Sequence, residues 1–137
     1  MSKDTVAHRE NLHRLTALQA LSFRDTPVDD LSVLNEFVRL ESLHFSGTAI
    51  GSIPVLPNLL SLKSLHASNG PLRTIESLSK FQMLEDLDIS NTPVDELRPV
   101  GSLKDLKKLN CSGTQIKKLD PLEKLEELEF LDCSNSR

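Results

Sequence analysis

Two histidines and one aspartate stand out as side chains of this sequence that could take part in chemistry. His44, His66 and Asp88 follow one another at a constant 22-residue interval. Imidazole and carboxylate groups bind metals, and a carboxylate beside a histidine also serves general-base catalysis. However, two histidines and one aspartate in a line do not form a tetrahedral cage, and no nucleophile is placed with a third orienting group. Solvated polar residues and contacts with a partner protein are therefore the alternatives to a metal or catalytic site.

The two cysteines, Cys111 and Cys133, are separated by the same interval. Small buried side chains that stack on each other are the simplest interpretation. A disulfide between them is an alternative that a cytosolic location disfavours. The sequence contains no phosphate-binding glycine loop, hydrolase nucleophile elbow or kinase signature. We therefore predict no enzyme activity, no catalytic residue, no metal site and no cofactor.

The same 22-residue interval separates the members of four sets of equivalent, mainly apolar residues, which we call columns. A fixed period of this length is typical of stacked units that bury their hydrophobic faces against one another. Within one unit, Leu87-Asp88-Ile89 alternates apolar and polar residues as a strand does, and a segment punctuated by proline or glycine follows. The columns are Leu15, Phe37, Leu59, Phe81, Leu103, Leu125; Leu18, Leu40, Leu62, Leu84, Leu106, Leu128; Leu21, Leu43, Leu65, Leu87, Leu109, Leu131; and Phe23, Phe45, Ala67, Ile89, Cys111, Cys133.

This pattern predicts an α/β solenoid. We expect a right-handed coil with a short parallel β-sheet on its concave face, and with loops, 3₁₀ turns and short helical turns on its convex face. Residues 1–14 form a degenerate half-repeat and are predicted to be the N-terminal cap. The repeat domain, 15–137, divides into five complete repeats, 15–36, 37–58, 59–80, 81–102 and 103–124, and a truncated sixth, 125–137.

A column of hydroxyl residues follows the predicted strands, at the point where backbone groups leave the sheet and need partners. We expect these hydroxyls to bond the backbone of the adjacent coil. Asn69-Gly70-Pro71 interrupts the column and predicts the least regular turn, with a local kink. The members are Thr26, Thr48, Gly70, Thr92, Thr114 and Ser136.

The repeat resembles that of the leucine-rich-repeat family, whose pattern is L-x-x-L-x-L-x-x-N/C-x-L. Threonine stands here where the family usually has asparagine. The 22-residue period is similar to the subclass found in bacterial internalins and in a leucine-rich-repeat regulator of a Ser/Thr phosphatase. The resemblance implies a surface for protein binding without specifying the partner. It rests on Leu84, Leu87, Ile89, Thr92 and Val94, and on the segment Leu119-Asp120-Pro121-Leu122.

The polar residues that alternate with the buried leucines should line the concave face, which we predict binds another protein. Asp86 and Asp88 are expected to face Lys108 and Lys107 on the next strand. The net charge of −4 argues against nucleic acid or an anionic membrane as the partner. No signal peptide or transmembrane run is visible, so we expect a cytoplasmic protein. The predicted partner-binding residues are Arg24, His44, His66, Asp86, Asp88, Phe130 and Asp132.

The last predicted strand suggests a second kind of contact. Its apolar column residues should show one side to water, which would form an edge for self-association into a homodimer. The alternatives are a chain that is a fragment of a longer array, an edge protected by the neighbouring glutamates, or the recognition arm of a larger signalling enzyme. The predicted self-association edge comprises Leu125, Leu128, Leu131 and Cys133.

Overall fold

The computed structural model describes residues 16–136, so the predicted cap at 1–14, together with Leu15 and Arg137, lies outside the described residues. Six strands form one parallel sheet in sequence order. Each strand pairs with the equivalent strand of the next repeat, so that Leu43 lies beside Leu65 and Leu65 beside Leu87. The strands are β1 Ala20–Ser22, β2 Ser42–His44, β3 Ser64–His66, β4 Asp86–Asp88, β5 Lys108–Asn110 and β6 Phe130–Asp132.

Apolar residues of the returns between strands, such as Leu34, Leu78 and Val100, form the core together with the four predicted columns. Their members in the central repeats are almost completely inaccessible to water, whereas Leu18, Leu21 and Phe23 at one end are only partly buried. Phe23 and Phe45 stack with their ring centroids 6.1 Å apart, and Ala67 takes the next position in that column. Each coil therefore buries its leucines only by packing on a neighbour, which is why a short strand without helical support is stable here.

Short 3₁₀ turns return the chain from one strand to the next on the convex side. Pro99 and Pro121 occupy the second position of two of these turns, where a missing N–H breaks no hydrogen bond. Between β2 and β3 the return is irregular, and Ser52 instead forms an isolated bridge with Thr74. The 3₁₀ turns span Ser32–Glu36, Glu76–Lys80, Arg98–Ser102 and Asp120–Leu122. Within 16–136, no helix is long and apolar enough to cross a membrane.

The hydroxyl groups of the column at Thr48, Thr92 and Thr114 do not form the expected hydrogen bonds to the adjacent coil. Thr48, Thr92 and Thr114 each donate to a carbonyl three residues earlier in their own coil, at 2.8, 2.6 and 2.7 Å. Only Ser136 reaches the backbone of the adjacent coil, where it donates to the Cys111 carbonyl at 3.1 Å. The expected bond between coils was therefore wrong for the threonines, because the chain turns back sharply enough to bring its own carbonyl within reach.

A second column, immediately before the hydroxyls, holds every one of these turns in the left-handed backbone region. Its φ angles lie between 54° and 73°. Glycine, asparagine and aspartate are the residues that adopt this conformation with least strain. Asn69 follows the same rule and β3 pairs with both neighbours, so the kink expected at Asn69-Gly70-Pro71 does not interrupt the sheet. The column is Asp25, Gly47, Asn69, Asn91, Gly113 and Asn135.

Candidate protein-interaction face

The sheet presents the predicted partner-binding residues on one surface, the concave face, in columns that alternate with buried leucines. His44 lies beside His66, and His66 beside Asp88, in adjacent strands. Phe130 is next to Lys108 in its own column, and Asp132 is next to Asn110. Because the register advances by one repeat at every step, residues from five different repeats share this face without any long-range loop to position them.

The two imidazoles are in direct contact. Their ring centroids are 5.2 Å apart and the rings meet edge to face at 64°. His66 Nε2 lies 3.4 Å from Asp86 Oδ2, within ion-pair distance, yet its geometry gives no hydrogen bond and the atom is buried without a partner. The carboxylate nearest to His66 is thus that of Asp86, whereas the sequence had suggested Asp88.

The pKa of His44 lies below its ordinary value. Burial is the largest cause, followed by the positive charges of His66 and Arg24, which disfavour a further proton. The carboxylates of Asp88 and Asp25 act in the opposite direction but do not outweigh them. The region around His44 is therefore one in which cationic groups are close together.

Asp88 and Asp132 are held in fixed orientations by their own turns. Asp88 Oδ1 accepts the backbone N–H of Ser90 at 3.0 Å and its hydroxyl at 2.6 Å. Asp132 Oδ1 accepts the same two groups of Ser134, at 3.0 and 2.7 Å. These bonds lower the pKa of Asp132, with the backbone N–H as the larger cause and the hydroxyl as the second. One oxygen of each carboxylate is used to fix its position, which leaves the other for a partner.

His44 and His66 occupy the position that Asp88 and Asp132 hold in later repeats, and a histidine side chain does not accept these two hydrogen bonds from its own coil. The Ser68 backbone N–H and hydroxyl instead donate to the Ser46 hydroxyl oxygen of the neighbouring coil, at 3.0 and 2.9 Å. Asn110 supports Ser112 in the same way that Asp88 supports Ser90. The concave face thus has a histidine half, linked between coils, and an Asx half, in which each coil holds its own carboxylate or amide.

The described residues do not form the metal site that the spacing of His44, His66 and Asp88 suggests as an alternative. Across 16–136, no three His, Cys, Asp or Glu side chains are placed so that they could hold a metal ion. The three residues lie in a row on an open sheet, and the carboxylate of Asp88 is turned towards its own Ser90.

The two lysines expected to face Asp86 and Asp88 take different positions in the structure. Asp86 is opposite Lys108 in the register, as predicted, but Lys107 belongs to another column and its Nζ lies 3.9 Å from Glu85 Oε1. Lys63 approaches Glu41 at the same distance. These residues belong to a column that alternates in charge and lies immediately before the strands. Our sequence-based predictions did not include this column, although its 22-residue spacing is visible in the sequence. Its members are Glu41, Lys63, Glu85, Lys107 and Glu129.

The predicted self-association edge is only partly exposed. Leu125 is 6% exposed and belongs to the core, so its expected exposure was wrong. Leu131 is 40% exposed, and the adjacent Phe130 51%. Leu128 and Cys133 are partly buried against the core.

The two cysteines are free thiols, as expected from small residues in one core column. Burial raises the pKa of Cys111 to about 11, with smaller contributions from Cys133 and Asp132. Cys111 is therefore protonated, and unreactive as a nucleophile, at neutral pH.

Comparisons with known proteins agree with this architecture. The family described as Leucine Rich repeats (2 copies) matches residues 82–124 and again residues 105–137. No curated protein matches the sequence. An internalin, InlF, from Listeria monocytogenes shares 26% identity over 92% of this chain, with a TM-score of 0.86.

Two further solved structures share the fold at lower identity. One is the leucine-rich-repeat ectodomain of the Arabidopsis thaliana receptor kinase GASSHO1/SCHENGEN3 in complex with Casparian strip integrity factor 2, with 23% identity over 92% of this chain and a TM-score of 0.78. The other is TLR13 in complex with ssRNA13, with 22% identity over 87% of this chain and a TM-score of 0.76.

The chain spans only a part of each of these structures, namely 37% of the internalin, 16% of the plant ectodomain and 19% of TLR13. What is common to them and to this chain is the stacked coil with one short parallel strand per repeat. The family match over residues 82–137, the 22-residue register and the six-stranded parallel sheet of the described residues together show that this chain has a leucine-rich-repeat fold, similar to that of the internalin.

Proposed function

We propose that this chain is a non-catalytic protein–protein interaction module that binds a partner protein on its concave face. The observation that carries the proposal is the row of partly exposed ionisable side chains, His44, His66, Asp86 and Asp88, held on one rigid sheet. Within this row, the carboxylate of Asp88 is already fixed by its own turn, so it loses little conformational freedom on binding, which favours affinity and specificity. Arg24, Asp132 and the exposed ring of Phe130 extend the same surface in both directions.

The comparisons support this use of the fold in general terms. The plant ectodomain is described in complex with a named factor, and leucine-rich repeats serve in several unrelated proteins as recognition surfaces. A single-stranded RNA in the TLR13 complex shows that the fold also accommodates nucleic acid. The net charge of −4 favours a protein partner for this chain. The cytoplasmic location expected from the N-terminal sequence stays a prediction.

The test is affinity capture from native extract, with wild-type protein beside Asp88→Lys and bound proteins identified by mass spectrometry. Asp95→Lys is the matched control, because it makes the same change of charge at an exposed position in the loop that follows β4. We expect one or more proteins to be retained by wild type and by Asp95→Lys and lost with Asp88→Lys. Equal retention by all three would contradict binding on the concave face.

Self-association is a second candidate function, favoured by the exposed pair Phe130 and Leu131 on β6. An edge strand with unpaired backbone groups and apolar side chains can pair with another copy of itself. Analytical ultracentrifugation over a range of concentrations tests this: we expect a mass that rises with concentration in wild type and a monomer for Leu131→Lys. A wild-type monomer at all concentrations would contradict it.

A third possibility is that the module acts as the recognition arm of a larger signalling enzyme. The plant structure is the ectodomain of a receptor kinase, and this chain corresponds to 16% of it. Sequencing the transcript on both sides of this coding region tests the idea directly. A catalytic domain in the same reading frame supports this role, and stop codons on both sides contradict it.

A further inference from the structure

The concave face has a charge order that specifies the chemistry of its partner, if the proposed function is correct. Arg24, His44 and His66 lie towards β1–β3, and Asp86 and Asp88 lie on β4. Both groups share one open surface, so a single bound segment can reach them together. The order of charge on a sheet is set by the sequence, and it selects for a partner with the opposite order.

Among residues 16–136, the cationic half is incompletely neutralised. His66 has Asp86 at 3.4 Å, which is available to balance a protonated imidazole. Arg24 and His44 form no ion pair among the described residues, although Asp25 and Asp88 are near enough to His44 to act on it electrostatically. His66 Nε2 also has a hydrogen-bonding capacity that no described group meets. Unmet capacity of this kind is uncommon in native structures, and because this atom is shielded from solvent, a partner carboxylate would reach it only after the imidazole turns.

The acidic half is oriented for a cation. Asp88 uses Oδ1 for the two bonds from Ser90, so Oδ2 remains for an incoming donor. Asp86 has Lys108 opposite it in the register, but the two are not close enough to form an ion pair in the described structure. A cationic side chain lying over β4 would therefore meet two carboxylates that form no ion pair with any lysine in the described part of the chain.

We propose that the concave face binds a protein segment that places a carboxylate over Arg24, His44 and His66 and a lysine or arginine over Asp86 and Asp88. Neighbouring strands are about 4.8 Å apart. A carboxylate placed between His44 and His66 lies one and a half strand spacings from β4, and one placed over His44 lies two, so the separation is about 7–10 Å. In an extended chain, which rises about 3.3 Å per residue, this distance corresponds to an acidic and a basic residue two or three positions apart.

This arrangement makes binding dependent on pH. His44 is faced by Arg24 and Asp25 from the β1 side, by His66 on β3 and by Asp88 on β4, and Asp86 joins through His66. A carboxylate from the partner would raise the pKa of His44, which is lowered in the free protein first by burial and then by His66 and Arg24. The complex then holds more protons than the free components, so affinity rises as the pH falls through the titration range of His44.

The test uses a library of random linear peptides displayed on phage, selected against the wild-type protein at about pH 6, in the range in which histidine titrates. We expect the enriched peptides to carry an aspartate or glutamate two or three residues from a lysine or arginine. Their affinity should be about threefold to tenfold higher at about pH 6 than at about pH 8, which corresponds to the uptake of up to one proton. The double variant His44→Gln, His66→Gln should remove this pH dependence.

The outcomes separate this inference from the proposed function. Peptides that lose binding with Asp88→Lys but lack an acidic residue, or bind equally at both pH values, would overturn the charge order and leave the concave face as the binding surface. Peptides that bind wild type, Asp88→Lys and the double histidine variant equally would overturn both. Circular dichroism of each variant confirms that the fold is retained before affinities are compared. Binding of a single-stranded RNA probe with a higher affinity than any peptide would also overturn the proposal.

Discussion

The side-chain oxygen of Asn91 occupies the space in which any residue other than glycine at position 113 would carry its Cβ atom. The two residues are one repeat apart in the left-handed column, with φ angles of 54° and 66°. Asn91 Nδ2 also donates to Asn69 Oδ1 at 3.0 Å, so its side chain is fixed on both sides. The same relationship joins Asp25 to Gly47. Glycine after an Asx residue in this column therefore lets successive coils approach closely.

Gly113→Ala tests this relationship. The left-handed conformation with a Cβ atom costs about 1–2 kcal/mol, and the displaced Asn91 adds to it, so we expect a loss of about 1–3 kcal/mol in the free energy of unfolding. The measurement is urea denaturation followed by circular dichroism. Gly51→Ala is the control, because its φ is not left-handed and the nearest atom to a new Cβ lies 3.9 Å away. Equal stability of the two variants would contradict the explanation.

Thr92→Val tests the hydroxyl column. The buried Thr92 hydroxyl satisfies the Ile89 carbonyl at 2.6 Å, and valine keeps the volume but removes this donor. An unsatisfied buried carbonyl costs about 1–3 kcal/mol, so the midpoint of chemical denaturation should fall accordingly. Thr74→Val provides the comparison, since Thr74 is exposed and should change stability by less than about 0.5 kcal/mol. A Thr92→Val protein as stable as wild type would show that water replaces the hydroxyl.

Adjacent leucines provide a test of the core columns. Leu59 is 0% exposed and Leu60 is 58% exposed. Leu59→Ala removes a fully buried side chain and leaves a cavity, so it should reduce the free energy of unfolding by about 2–5 kcal/mol. Leu60→Ala should change it by no more than about 0.5 kcal/mol. Thermal and urea denaturation of the pair measures both, and a large effect at Leu60 would show that this side chain has an unrecognised packing role.

The thiols should differ in reactivity. Cys111 is buried and its pKa is raised to about 11, whereas Cys133 is partly exposed. Because the thiolate is the reactive form, iodoacetamide at about pH 8 should modify Cys133 and leave Cys111 unmodified in the folded protein. Peptide mass spectrometry after labelling identifies the modified residue, and labelling in denaturant is the reference. Modification of both thiols at equal rates in the folded state would contradict the burial of Cys111.

Asp132 should contribute to the acid dependence of stability. Its pKa is lowered below the ordinary aspartate value by the backbone N–H and then the hydroxyl of Ser134. A carboxyl with a lowered folded-state pKa contributes stability above its unfolded-state pKa and loses that contribution as the pH falls through the folded-state pKa. Asp132→Asn keeps the turn, as Asn110 does one repeat earlier, but cannot titrate.

Stability of wild type and Asp132→Asn should therefore converge as the pH falls below the ordinary aspartate range. Urea denaturation at a series of pH values measures the difference between the two proteins. Parallel curves over the whole series would show that Ser134 does not favour the ionised form of Asp132.

Much of the candidate face could be predicted because its residues are set by the repeat. A constant period without insertion places His44 beside His66 and Asp86 opposite Lys108. The columns at Asp25 and Glu41 were equally visible in the sequence but were not recognised, because neither contains leucine. Lys107 does not face Asp86 and Asp88 as predicted, because it precedes β5 and lies in the next column, beside Glu85.

The 22-residue period predicted the stack, its register and the set of residues in each column, because equivalent positions of successive repeats must lie above one another. Only the tertiary structure decided which of these neighbours interact. His66 approaches Asp86 in the neighbouring column, Thr92 donates a hydrogen bond within its own coil, and Leu125 is buried in the core. The physical reason is that the period defines backbone positions to within a strand spacing, whereas hydrogen bonds and ion pairs depend on side-chain rotamers and on atoms only a few ångströms apart.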